Sequence, residues 1–163
     1  QKINQDLITV TLHRNENLIF KKRILRLIEL LKSLDESFQI NWYMHEPTEN
    51  VLSSLNFQKS KNIQFKPLLN HDEFIDQIKK SFLVITDGGS IQEECFYLNK
   101  NAVIWRKNTE RPYAMNNRIL ISKYDIDVSL KFIKNLSKNY IDDFEQFKSP
   151  SKEIYEYIIS KYS

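Results

Sequence analysis

Short apolar runs alternate along the chain with segments whose apolar residues recur at helical spacing. Leu7–Leu12 reads as a strand. Leu18–Leu34 carries apolar residues at 24, 25, 27, 28, 31 and 34, the repeat of one helical face. Phe38–Met44 reads as a second strand, Asn50–Leu55 as a short helix and Ile63–Phe65 as a short strand. His71–Ser81 places Phe74, Ile75 and Ile78 on one helical face. Leu83–Thr86 reads as a buried strand, Ile91–Leu98 as a helix, and Ala102–Trp105 and Arg118–Ile121 as the last strands. Asp127–Leu136 and Ser151–Tyr162 are expected to close the chain as helices. The four prolines, Pro47, Pro67, Pro112 and Pro150, fall at element boundaries. This β-α-β-α alternation predicts an α/β domain, a parallel sheet with helices on both faces. Ligands bind such sheets beyond the carboxyl ends of the strands, where strand order reverses. The positions that matter most are therefore His13–Asn17, His45–Thr48, the residues from Pro67 onward, Asp87–Ser90 and Arg106–Pro112.

Composition narrows the class. The chain has 163 residues, 41% hydrophobic and 28% charged, which suits one folded domain and excludes a disordered chain. A single cysteine, Cys95, allows no internal disulfide. The most apolar stretch, Ile24–Leu34, is interrupted by Arg26, Glu29, Lys32 and Ser33, far short of the ~20 apolar residues that span a bilayer. Residues 1–13 lack a basic start followed by an apolar run. A cytoplasmic protein without a membrane partner is the expectation. The net charge is +3 and no basic block is present, which argues against a nucleic-acid partner and for a small anionic ligand.

The only two glycines, Gly88 and Gly89, are adjacent, pointing to a place where a Cβ is not accommodated. They lie in Thr86-Asp87-Gly88-Gly89-Ser90-Ile91-Gln92-Glu93-Glu94, where a strand ends and a helix begins at or near Ser90. The unpaired N–H groups and dipole of such a helix start favour an anion. A plain turn with Ser90 as N-cap fits the same residues. His13-Arg14-Asn15-Glu16-Asn17 also joins a strand to a helix, offering a proton donor and a guanidinium for phosphate, or simply a capped turn. Arg106-Lys107-Asn108-Thr109-Glu110-Arg111-Pro112 is an anion-facing loop or a solvated one. Their convergence on one sheet edge favours the ligand reading.

Together these three segments resemble the UDP-N-acetylglucosamine 2-epimerase family, whose signatures are H-R-x-E-N, D-S-G-G-x-Q-E-E and T-E-R-P-E. The resemblance runs from about Leu7 to about Ile121. It implies the C-terminal, Rossmann-like, nucleotide-binding half of a glycosyltransferase-B-type fold over residues 1–163, with the N-terminal domain absent, and a homodimer for the full-length protein. The implied reaction interconverts UDP-GlcNAc and UDP-ManNAc by elimination and re-addition of UDP, for cell-surface polysaccharide precursors. Hydrolysing members release ManNAc and UDP. No cofactor or metal is implied. A sugar transferase of the same fold, and a non-catalytic UDP-sugar-binding domain, are the alternatives. By the resemblance, His13 and Arg111 are catalytic, and Gly88, Gly89, Ser90 and Arg111 hold the diphosphate. Glu94 holds the ribose, Phe74 packs near the uracil, and Arg14 and His45 correspond to an allosteric pair. The carboxylates that move the C2 proton belong to the other domain, so the isolated half is expected to be inactive.

Several positions depart from the family pattern. D-S-G-G is Asp87-Gly88-Gly89-Ser90, the final Glu of T-E-R-P-E is Tyr113, and the Gly and Pro after the helix are Asn99 and Asn101. The His-x-Asn-Pro motif is reduced to His45-Glu46-Pro47-Thr48. These changes leave room for another UDP-sugar. His71 is expected to cap or solvate a helix, and Cys95 to be buried and inert. The three histidines and one cysteine have no metal-ligand spacing. The apolar face of Ser151–Tyr162 is expected to be partly exposed.

Overall fold

A computed structural model describes residues 3–55, 57, 60–138 and 150–162. The elements run β1 (Asn4–Leu12), α1 (Asn15–Ile19), α2 (Lys21–Leu34), β2 (Gln39–Met44), α3 (Glu46–Ser54), β3 (Ile63–Lys66) and α4 (His71–Lys80). They continue with β4 (Ser81–Thr86), α5 (Gly89–Tyr97), β5 (Asn101–Ile104), β6 (Ile119–Ile121), α6 (Ile126–Lys138) and α7 (Pro150–Tyr162). The six strands form one sheet in the order β3-β2-β1-β4-β5-β6. Every pairing is parallel. Strand order reverses between β1 and β4, whose carboxyl ends flank the crevice where such sheets take ligands.

Side-chain alternation along the strands builds two cores. Ile8, Val10 and Leu12 of β1, with Leu83, Ile85 and Val103, join the core that includes Ile24, Leu27, Leu31 and Ile133 of α2 and α6. Val84, Ala102 and Ile104 face the opposite way, toward Ile78 of α4 and Cys95 of α5. A period of two sends successive residues to opposite faces. This explains why the central strands read as continuous apolar runs: helices cover both faces. Thr9 and Thr11 fall on the second face of β1, and Thr9 Oγ1 lies 2.7 Å from Ser81 Oγ.

Four expectations are corrected. The helix expected over Leu18–Leu34 is two helices, α1 and α2, separated at Phe20. The break falls where Ile19 and Phe20 are exposed and outside the apolar repeat. The helix expected over Asn50–Leu55 begins at Glu46, with Pro47 in its first turn and Glu46 and Glu49 facing the positive end of its dipole. Helix α5 begins at Gly89 with Gly88 as its cap, so Ser90 lies inside the first turn and does not cap it. Neither glycine adopts a positive φ. A Cβ on Gly88 would stand 3.2 Å from His13 Cε1 and 3.3 Å from Ile91 Cγ1. One on Gly89 would stand 2.9 Å from Glu110 Oε1, the end of a flexible side chain. The glycines thus mark close approach of side chains rather than a backbone closed to other residues.

Asn99, with φ 50°, takes the left-handed turn after α5, and Lys100 N donates to Cys95 O at 2.8 Å. Asparagine supplies here what glycine commonly supplies at helix ends. Cys95 is fully buried, and desolvation pushes its thiol up to about 12, which leaves it unreactive. On α7, Ile154, Tyr155, Tyr157, Ile158 and Ile159 are exposed, as expected for its apolar face. Among the described residues, no helix is long and apolar enough to cross a membrane.

Candidate functional site

The site is organised by Asp87, whose side chain is fully buried at the end of β4. Its carboxylate accepts from the backbone N–H of His13 (3.1 Å), the N–H of Arg14 (3.0 Å) and Nδ2 of Asn17 (2.9 Å). Nδ1 of His13 stands 3.5 Å from the same carboxylate. Asn17 Nδ2 also donates to the carbonyl of Trp105 at 3.1 Å. One buried carboxylate thus binds the β1–α1 turn to the β4–α5 turn. Thr48 Oγ1 donates to Leu12 O at 2.7 Å and fastens the start of α3 to the same place. Sequence reasoning gave Asp87 and Asn17 no such role. Their sign was a buried-type strand ending in a carboxylate, beside a turn rich in N–H donors.

Above this knot lies a cleft of about 240 Å3. Thr11, His13, His45 and His71 line it, with Leu68, Leu69, Phe74, Ser90 and Ile91. All three histidines of the chain therefore meet in one cavity, although 58 residues separate His13 from His71. The His13 and His45 rings lie 5.0 Å apart. Burial, and secondarily the neighbouring His13, hold His45 below the usual imidazole range, while Asp87 pulls it back up. His71 does not cap α4. Asn70 does, accepting from Glu73 N at 2.9 Å in a reciprocal capping box. His71 is the first residue of that helix, and its Nε2 lies 3.8 Å from Glu94 Oε1. Phe74 meets Tyr43 edge-on, with centroids 5.6 Å apart.

The expected site residues fall into two groups. His13, His45, Phe74 and Ser90 line the cleft, at the start of α5. Gly88 and Gly89 are buried beneath it. Arg14, Arg106 and Arg111 stand along the rim of the α5 turn and pair with carboxylates. Arg14 and Arg106 both bind Glu110, and Arg106 Nε lies 3.2 Å from Glu16. Hydrogen bonding to Arg106 holds the Glu110 carboxyl below its usual range. Arg111 Nε lies 3.1 Å from Glu93, which also accepts from the Tyr113 hydroxyl. The Tyr113 bond is the main cause holding Glu93 low. Buried Gln92 staples this loop to α5, donating from Nε2 to Arg111 O at 3.0 Å and Ala114 O at 2.8 Å. Among the described residues, no group of His, Cys, Asp and Glu is arranged to hold a metal ion.

The model of a known family, described as UDP-N-acetylglucosamine 2-epimerase, matches residues 1–157. The chain belongs to the UDP-N-acetylglucosamine 2-epimerase family. It is 30% identical over 158 residues to the UDP-N-acetylglucosamine 2-epimerase of Campylobacter jejuni, covering 91% of this chain and 39% of that protein. It is 27% identical over 170 residues to that of Methanocaldococcus jannaschii, covering 98% and 46%. The chain thus spans less than half the length of these relatives. Among solved structures it is similar to the M. jannaschii UDP-GlcNAc 2-epimerase, with TM-score 0.84 at 24% identity, covering 99% of this chain and 47% of that one. It is also similar to the Neisseria meningitidis enzyme bound to UDP-GlcNAc, with TM-score 0.69 at 25% identity, covering 95% and 45%. An E. coli heptosyltransferase with ADP shares the fold at TM-score 0.55 and 13% identity, covering 80% and 44%. The Rossmann-like α/β fold expected for the family is the one observed.

Proposed function

We propose that this chain is the nucleotide-binding, C-terminal half of a UDP-sugar 2-epimerase. The observation that carries this reading is the convergence of His13, His45, His71 and Phe74 over the start of α5, where strand order reverses. On this reading the diphosphate of UDP-GlcNAc sits at the first turn of α5, over Gly88 and Gly89, with Ser90 supplying the hydroxyl the family carries two residues earlier. Phe74 packs on the uracil, and Glu94, beside His71, takes the ribose hydroxyls. Arg111 leaves Glu93 to pair with the diphosphate. On the same reading Arg14 and His45 contact a second, activating nucleotide sugar.

In the reaction, the C1–O bond to UDP breaks as a proton leaves C2, forming the C1=C2 bond of 2-acetamidoglucal. UDP then adds back to C1 as a proton is delivered to the opposite face of C2, which inverts that centre. Negative charge grows on the departing diphosphate, and fixed cations and N–H dipoles stabilise it without reorganising. His13, exposed at the cleft and backed by Asp87, is placed to protonate or hydrogen-bond the leaving oxygen. The carboxylates that move the C2 proton come from the rest of the protein. A homodimer of the complete protein and a cytoplasmic location belong to the same reading. The test is incubation of the complete protein with UDP-GlcNAc in D2O, with no acceptor. Deuterium at C2 is the expected result. Transfer that needs an acceptor and leaves C2 unlabelled supports the transferase reading instead.

A further inference from the structure

A second cavity, of about 290 Å3, opens where α2 begins and β6 ends. It shares no lining residue with the histidine cleft. Its walls are Lys22, Arg23, Arg26 and Lys123, with Phe20 and Tyr124. The guanidinium of Arg23 lies between two rings, 4.5 Å from the centroid of Phe20 and 4.5 Å from that of Tyr124, and donates to Glu16 O at 2.8 Å. Arg26 Nη1 donates to Tyr124 O at 3.2 Å. Both guanidinium groups are thus held in place, though their partners are uncharged. Among the described residues, none of the four cations forms an ion pair with a carboxylate. The nearby Glu16 carboxylate is committed to Arg106.

This arrangement opposes local stability. Lys21, Lys22 and Arg23 occupy the first turn of a 14-residue helix that has no acidic residue there and no side-chain cap. Cations at that end face the positive pole of the helix dipole, and like charges converging on one pocket repel. Lys123 and Tyr124 both hold positive φ, at 51° and 64°, bringing Lys123 to the rim. An anion in the pocket offsets the dipole and repulsion costs.

We propose that this pocket is a second anion site, taking a small molecule that carries a phosphate monoester or diphosphate. Cations converge on it from two elements, α2 and the turn after β6, an arrangement that suits a compact phosphate group. A nucleic acid or lipid surface calls for an extended basic face, and the net charge of +3 supplies none. The preoriented Arg23 matches the planar, bidentate recognition of phosphate oxygens.

The test is an NMR titration of the 15N-labelled 163-residue chain with inorganic pyrophosphate, and separately with inorganic phosphate, at constant ionic strength held with sodium chloride. The amides of Lys22, Arg23, Lys123 and Tyr124 are expected to shift along one saturable isotherm, with Kd at or below about 1 mM. The double variant Lys22→Gln, Lys123→Asn is expected to weaken that isotherm by about tenfold, since each charge contributes attraction at short range. Asparagine tolerates the left-handed backbone at 123, and both lysines are exposed without an ionic partner among the described residues, so the variant is expected to fold with a Tm at or slightly above that of the wild type, as charge repulsion is relieved. If the double variant fails to fold, Arg26→Gln reads the same isotherm. Saturation with pyrophosphate but not phosphate assigns the site to diphosphates, and saturation with both assigns it to phosphate groups generally. Shifts that stay linear to about 20 mM, as screening alone produces, overturn the proposal. So does an isotherm unchanged by the substitutions.

Discussion

The rim of the α5 turn and the basic pocket at the start of α2 are both rich in arginine, yet they treat that charge in opposite ways. At the rim every arginine has a carboxylate: Arg14 and Arg106 share Glu110, Arg106 also meets Glu16, and Arg111 faces Glu93. In the pocket, Arg23 and Arg26 are held by rings and carbonyls, and Lys22 and Lys123 by nothing charged. The rim can therefore stand without a ligand, because its own acids occupy the positions of an anion. A ligand there must exchange with those acids. Among the described residues the pocket has no internal substitute, and an anion arriving there breaks no ion pair.

Trp105 connects the two regions, so removing it is expected to blur the comparison most. Its side chain is fully buried, its indole N–H donates to Arg23 O at 3.1 Å beneath the pocket, and its carbonyl accepts from Asn17 beneath the cleft. Trp105→Ala is expected to cost about 3–5 kcal/mol in denaturant unfolding and to shift amides in both regions. Asp87→Asn separates them. It replaces an acceptor of three N–H groups by an amide that presents donors of its own, at an expected cost of about 1–3 kcal/mol. The amides of 13–17 should shift in its spectrum and those of 123–124 should not.

Glu110→Gln makes the rim resemble the pocket by taking the carboxylate from Arg14 and leaving Arg106 only Glu16. Those pairs are partly solvent-exposed, so stability is expected to change by less than about 1 kcal/mol. Pyrophosphate affinity at the rim should rise by a few-fold, as measured by the shifts of Gly88 to Ser90. The smallest effect concerns pH. The fold holds His45 below its unfolded pKa of about 6.5, so over that window the unfolded chain binds more protons. Stability should then rise with pH toward about 6.5 and fall below it, and His45→Gln should flatten that slope in urea titrations between about pH 5 and 7.

The sheet was legible because buried strands between helices are short apolar runs, and all six appear where the runs lie. The break at Phe20 and the early start of α3 were not, because they depend on Ile19 and Phe20 turning outward and on Pro47 opening a helix rather than a loop. Within the site, the residue types at the strand ends were readable as anion chemistry. Which of them meet was not. His71, read as capping or solvating a helix, is exposed but also lines the cleft with His13 and His45, because α4 begins beside the end of β1. Arg111, read as a partner of the anion, pairs with Glu93 across a loop that Gln92 fastens to α5. Pairings of that kind arise between elements distant in sequence, and local patterns carry no trace of them.

The proposed nucleotide half-site joins the histidine cleft to the α5 turn. Its most direct test is a 15N NMR titration of the chain with UDP, repeated on Arg111→Ala. Saturable shifts are expected at residues 13–17, 74, 87–94 and 106–112, on an isotherm separate from any at 22–23 and 123–124, with affinity for the first set about tenfold weaker in the variant. Saturable shifts that bypass these residues, or none at about 10 mM UDP, would contradict it.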